Sequence, residues 1–159
     1  QAAVDIPVLT MIEETRDRVI EDGLVPARKI ALLATRGTVR ARLYQHAVAR
    51  SGVEVVVPDV ALQERVAEAI ACVKSDASDA RAGELLASVV AAFFADGIDA
   101  VIAGCTELPI ALAQVSALPL QVVDPTQVLA EAVVREAFAS TDADSAHRSG
   151  ATVQKGVAA

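Results

Sequence analysis

The chain has 159 residues, a formal net charge of −7, and 53% hydrophobic residues against only 3% aromatics. That length suits one domain with a real core, here built from small and branched aliphatic side chains. The acidic balance argues against nucleic acid, which needs a basic footprint and, for single strands, aromatic platforms, and the apolar stretches are too short or too broken by proline to span a membrane.

Ile6–Thr10 reads as a short strand, followed by a helix from Met11 to Asp22 that Gly23 closes. Lys29–Thr35 is a continuous apolar run, the pattern of a strand covered on both faces. The turn Thr35-Arg36-Gly37-Thr38 leads into a predicted helix over Val39–Ser51, and Gly52 ends it before a strand at Val53–Val57. Pro58-Asp59 stops that strand, and a helix is expected over Gln63–Lys74. Ser75–Ala82 is polar and loop-like, Glu84–Asp96 is an apolar helix closed by Gly97, and Ile98–Ala103 is another buried strand. A turn at Cys105 opens a short helix to Val115; a last strand, Leu120–Asp124, precedes a final helix over Pro125–Ala139 with proline in its first turn. From Ser140 the apolar periodicity vanishes and a disordered tail is expected. The alternation implies an α/β fold with a doubly wound parallel sheet.

Ligands of such sheets bind outside the carboxyl ends of the strands. Two loops there, Thr35-Arg36-Gly37-Thr38 and Gly104-Cys105-Thr106-Glu107, place small residues and hydroxyls over helix N-termini, suited to a carboxylate or phosphate. Cys105 follows a strand and precedes a helix, where backbone N–H groups and the helix dipole should favour thiolate. It is a candidate nucleophile or proton-transfer base; the alternative is a buried structural thiol. Thr35 and Thr38 fit helix capping as well as ligand contact. Glu107 fits either a dipole partner or a group that poises the thiol. Lys74 reads as a solvated helix-end cation or a ligand contact, Arg36 as an exposed loop cation or an attractor of a dianion. Tyr44 is expected to pack at a domain edge, His46 to be exposed, and Cys72 to pack in a core. With two cysteines far apart, no CxxC and no paired histidine, no metal is expected. No signal-peptide pattern opens the chain, so a cytoplasmic location is expected.

Three stretches together resemble the cofactor-independent aspartate/glutamate racemases: Pro7-Val8-Leu9-Thr10-Met11-Ile12-Glu13-Glu14-Thr15; Leu32-Leu33-Ala34-Thr35-Arg36-Gly37-Thr38-Val39 with Tyr44; and Gly104-Cys105-Thr106-Glu107-Leu108-Pro109, leading to Val123-Asp124-Pro125-Thr126. The resemblance covers about Ile6 to Phe138, and Glu107 after Cys-Thr looks like the aspartate branch. It implies a racemase-like domain and no cofactor. Two cysteines would face opposite sides of the substrate α-carbon, with Cys105 matching the second. Thr35, Gly37, Thr38, Thr106, Glu107 and Lys74 would match substrate-binding positions. The implied partner is aspartate or glutamate, within a homo-oligomer, a dimer, of the full-length protein.

The first cysteine of such proteins lies in a Cys-Asn-Thr-like loop ahead of the Ile-Pro strand, and this chain starts at that strand. Cys72 does not correspond to it. The expectation is therefore a C-terminal portion: residues 1–10 a residual strand of a first domain, 11–118 the second racemase domain, 119–139 a strand and helix returning to the first, and 140–159 a tail. Such a portion is expected to be inactive alone. The alternatives are a one-cysteine lyase like the arylmalonate decarboxylase relatives, in which one thiol protonates one face of an enediolate, or a non-catalytic remnant that binds a small acid.

Overall fold

The structure, a computed structural model, describes residues 8–21 and 29–149. Two central strands carry the sheet. In β1 (Lys29–Leu33) every residue after Lys29 is buried, and in β3 (Ala100–Ala103) all are, as continuous apolar runs require. With β2 (Glu54–Val56) and β4 (Gln121–Val123) they form a four-stranded, all-parallel sheet in the order β2-β1-β3-β4. Leu33 lies opposite Ala103, and Ile102 opposite Val123.

Side chains alternate between the two faces, so the sheet divides two cores. Ala31, Leu33, Val101 and Ala103 meet α4 (Val60–Ser75), α5 (Arg81–Ala95) and α6 (Glu107–Ala113) on one side, through residues such as Val66, Leu86 and Leu108. Ile30, Leu32, Ala34, Ile102 and Val123 meet Val19 of α1 (Met11–Glu21), Tyr44 of α3 (Leu43–Val48) and Val128 of α7 (Pro125–Ser149) on the other. Burying aliphatic side chains on both faces is the main stabilising term, at about 1.5–3 kcal/mol for each large one.

Several element boundaries differ from expectation. Val8–Thr10 forms no strand; the rest of that segment and Gly23 lie outside the described residues. Thr10 instead caps α1, accepting from the Glu13 N–H at 3.3 Å while its hydroxyl donates to Glu13 at 2.8 Å. The helix predicted over Val39–Ser51 is two, α2 (Arg36–Ala41) and α3, broken at Arg42 with φ 54°. α4 starts at Val60 because the Asp59 carboxylate accepts from the Leu62 N–H at 2.8 Å. α5 starts at Arg81, whose N–H donates to Asp79 at 2.9 Å.

Gln121–Val123 pairs with β3 in this sheet. α7 lies against α1, tied by Arg135 to Glu14 at 2.9 Å and by an ion pair between Arg18 and Glu131. The helix also runs past Ala139 to Ser149; residues 150–159 are outside the description.

Candidate functional site

In the order β2-β1-β3-β4, the chain leaves β1 for β2 on one side and reaches β3 on the other. The connections diverge between β1 and β3, and a crevice opens there at the carboxyl edge. The loops singled out from the sequence leave these two strands at one level, because Leu33 pairs with Ala103 and the Gly104 N–H donates to the Leu33 carbonyl at 2.7 Å.

On the β3 side, Cys105 is partly buried against the core under α4–α6. Its thiol donates to Glu107 Oε2 at 2.8 Å, and the Thr106 hydroxyl donates to the same oxygen at 3.2 Å. Lys74, at the end of α4, holds its Nζ 3.8 Å from the other carboxylate oxygen. The fold thus gathers Cys105, Thr106, Glu107 and Lys74 into one cluster.

The electrostatics reverse the expected thiolate. Burial pushes the Cys105 thiol up first, and the hydrogen bond to the Glu107 side chain pushes it further; the Glu107 backbone N–H and, less, Lys74 oppose them. Conversely, the bond from Cys105 is the main reason the Glu107 carboxyl sits below its ordinary value. α6 spans only seven residues and Thr106 makes no side-chain cap to it, so a dipole effect is outweighed by a carboxylate at hydrogen-bond distance. The resting pair is a thiol and a carboxylate.

On the β1 side, Thr35 caps α2: its Oγ accepts from the Thr38 N–H at 3.3 Å and lies 3.0 Å from the Thr38 hydroxyl. Gly37 is exposed in the same turn. Arg36 is engaged in an ion pair with Glu64, and Gln63 Nε2 donates to the Ala34 carbonyl at 3.0 Å, bracing the end of β1. Cys72 is partly buried against the same core from α4 and close enough to Arg81 to act on its guanidinium. His46 is exposed.

Two residues were not recognised from sequence as belonging here. Asp124 follows β4 and caps α7, accepting from the Thr126 N–H at 2.8 Å. Tyr44, expected at an edge, is 3% exposed and lies beneath Gly104, where a Cβ would come within 3.1 Å of its ring. The signals were available: an Asp-Pro pair after a strand falls on the ligand edge, and Tyr44 and Val48 share an i,i+4 face. Among the described residues, no group of three or more His, Cys, Asp or Glu could hold a metal ion. No helix among them is long and apolar enough to cross a membrane.

The solved structure of an aspartate racemase homologue from Pyrococcus horikoshii OT3 superimposes with a TM-score of 0.71 at 26% identity, over 87% of this chain and 59% of that one. An aspartate racemase from Picrophilus torridus gives 0.68 at 26% identity, over 82% of this chain and 52% of that one. The chain therefore spans less than two thirds of these structures. A protein of Pectobacterium carotovorum subsp. carotovorum, described as an "Uncharacterized protein in pnlA 3'region", is 38% identical over 111 residues, 69% of this chain and 73% of that protein. The family model for Asp/Glu/hydantoin racemases matches residues 1–133. With that match and the racemase-like sheet, the chain belongs to the Asp/Glu/hydantoin racemase family.

Proposed function

We propose that this chain supplies one half of a cofactor-independent, two-base racemase centre for aspartate or glutamate, with Cys105 as the proton-transfer group on one face of the α-carbon. The observation that carries the reading is the 2.8 Å bond from the Cys105 thiol to Glu107 at the crevice between β1 and β3. An α-proton is removed only by a base held against it, and the resulting carbanion is reprotonated only by an acid equally close. A thiol kept protonated by burial and Glu107 is suited to the second task. Handing its proton on leaves a thiolate beside Lys74, and that thiolate serves the first task in the reverse direction.

Thr35, Gly37, Thr38 and Thr106 offer hydroxyls and backbone N–H groups around the crevice for the substrate carboxylates, and Lys74 offers a cation. Of the chain's two cysteines, Cys105 is the one in the turn that follows β3 and bonded to Glu107, while Cys72 packs from α4. In this reading the opposing base comes from outside the described residues.

Solvent deuterium exchange at the α-carbon of L- and D-aspartate, followed by mass spectrometry and chiral chromatography, tests it. Exchange without inversion, lost in Cys105→Ala, is the expected result for the purified chain. Inversion by the chain alone would overturn the half-site reading, and exchange that survives Cys105→Ala would overturn the role of Cys105. Binding of aspartate with no exchange would identify a binding remnant, and decarboxylation of an arylmalonate would identify a one-thiol lyase.

A further inference from the structure

We propose that Tyr44 is a positioning residue for Cys105, its ring seating the Gly104–Cys105 turn and its hydroxyl lying within electrostatic reach of the thiol that follows. The proposal rests on the reading of Cys105 as a proton-transfer group, and goes beyond it by naming what holds the thiol in place.

Backbone geometry gives the first argument. Arg42 adopts φ 54°, a left-handed conformation that is unfavourable for a residue with a side chain. The break divides α2, which buries no residue, from α3, which buries Tyr44 and Val48. Strain of this kind persists only where the surrounding structure over-determines it, and here the buried packing of Tyr44 and Val48 on α3 does so.

Contact gives the second. A Cβ built on Gly104 would meet Tyr44 Cε2 and Leu32 Cδ1 at 3.1 Å each, and Ala34 Cβ at 3.3 Å. The backbone of the turn therefore rests on the tyrosine ring, and glycine is what lets it settle that low. The residue immediately after this contact is Cys105.

The hydroxyl gives the third. Tyr44 is buried among Leu32, Ala34, Ile102, Val123 and Val128, where phenylalanine would fill the same space without taking a polar group out of water. Asp124 and Cys105 both act electrostatically on that hydroxyl. The charged and titratable groups that act on Cys105 or on Tyr44 come from several elements: Glu107 on α6 and Lys74 on α4 act on Cys105, while Cys105 itself and Asp124, at the start of α7, act on Tyr44 of α3. Tyr44 is the one that touches the turn's backbone from below and also faces a second charge.

The test is the pH profile of Cys105 alkylation by iodoacetamide in the full chain, read by peptide mass spectrometry with Cys72 as internal control. Tyr44→Phe keeps the ring and removes the hydroxyl, the polar group that in this proposal offers its dipole to the thiolate. It is expected to slow Cys105 alkylation about twofold or more at mildly alkaline pH, with Cys72 unchanged. A Cys105 profile superimposable on wild type overturns the proposal.

If Tyr44→Phe loosens the fold, visible as faster labelling of Cys72, the reciprocal measurement decides, since coupling between two groups is mutual. Cys105→Ser must then lower the ionisation midpoint of Tyr44 followed by phenolate absorbance, and an unchanged midpoint overturns the coupling. Neither measurement depends on turnover, so a coupled pair in a chain that exchanges no α-proton would sink the racemase reading and leave the pairing standing.

Discussion

Tyr44 is the only tyrosine in a chain without tryptophan, so alkaline phenolate absorbance reports this one side chain. The perturbation is pH. Burial first, then the negative charges of Asp124 and Cys105, push its phenol from 10.0 up to about 12. A difference of one pH unit between native and unfolded ionisation corresponds to about 1.4 kcal/mol, and screening by water at the carboxyl edge trims two such units to about 2 kcal/mol. Because the native value is the raised one, this stability is fully present below pH 10 and is lost as pH rises from 10 toward 12. Two assays check it. Absorbance should show the phenol still protonated in native protein at a pH where the denatured chain is ionised, and urea unfolding should lose about 2 kcal/mol more across that window in wild type than in Tyr44→Phe. The raised Cys105 thiol also destabilises the fold at alkaline pH, but it is present in both proteins and largely cancels. Ionisation of Tyr44 near 10 with the far-ultraviolet circular dichroism intact would show that the ring does not lie under Gly104, and the reasoning would fail.

Glu107→Gln should lower the Cys105 thiol toward its ordinary value, because the neighbouring carboxylate charge is gone while burial remains; faster Cys105 alkylation near neutral pH is the expected outcome, and an unchanged or slower rate counts against it. The Glu107 carboxyl is depressed in the native state, so its stabilisation is present above the ordinary carboxyl range and is lost as pH falls through the native value. The acid limb of the stability curve should therefore be shallower in Glu107→Gln, as urea titrations at stepped pH would show. Gly83→Ala sets two effects against each other: alanine gains up to about 1 kcal/mol of helix propensity, but its Cβ would sit 2.6 Å from Gln114 Cβ and 2.9 Å from that residue's backbone carbonyl. Overpacking of about 1–3 kcal/mol, plus disturbance of the Gly83 N–H to Gln114 bond at 3.2 Å, should win. A fall in Tm of about 4–8 °C is expected from a net cost of about 2 kcal/mol, and a rise would show that α5 and α6 are free to separate.

The parts of the fold legible in the sequence were those where one physical signal dominates. β1 and β3 are continuous apolar runs bounded by polar or turn residues, and both came out as central strands. The break at Arg42 was not legible, because a positive φ at arginine has no local sequence cause and is imposed by the packing of Tyr44 and Val48. The start of α4 was within reach, since Asp59 before an apolar run is a capping signal. The loops at Thr35 and Gly104 were singled out because ligands of doubly wound sheets bind at strand ends, and the fold brings both to the carboxyl edge between β1 and β3. For Lys74 the sequence left a solvated cation and a ligand contact open, and only the fold brings it to Glu107, from a helix crossing the same face.

The thiolate expectation failed for a reason visible in one residue. Gly104 donates its N–H to Leu33 at 2.7 Å, tying the end of β3 to β1. It also lacks the Cβ that Leu32, Ala34 and Tyr44 would exclude. Both features draw the turn down onto the sheet, so Cys105 begins half-buried against the core instead of standing free over a helix end. Once it is there, desolvation opposes ionisation, and Glu107, at hydrogen-bond distance, opposes it again. The dipole of the seven-residue α6 acts in the other direction and loses. The sheet thus sets the protonation state: the close packing that places the thiol at the crevice also keeps its proton on, so Cys105 rests as an acid and acts as a base only through its minor thiolate form.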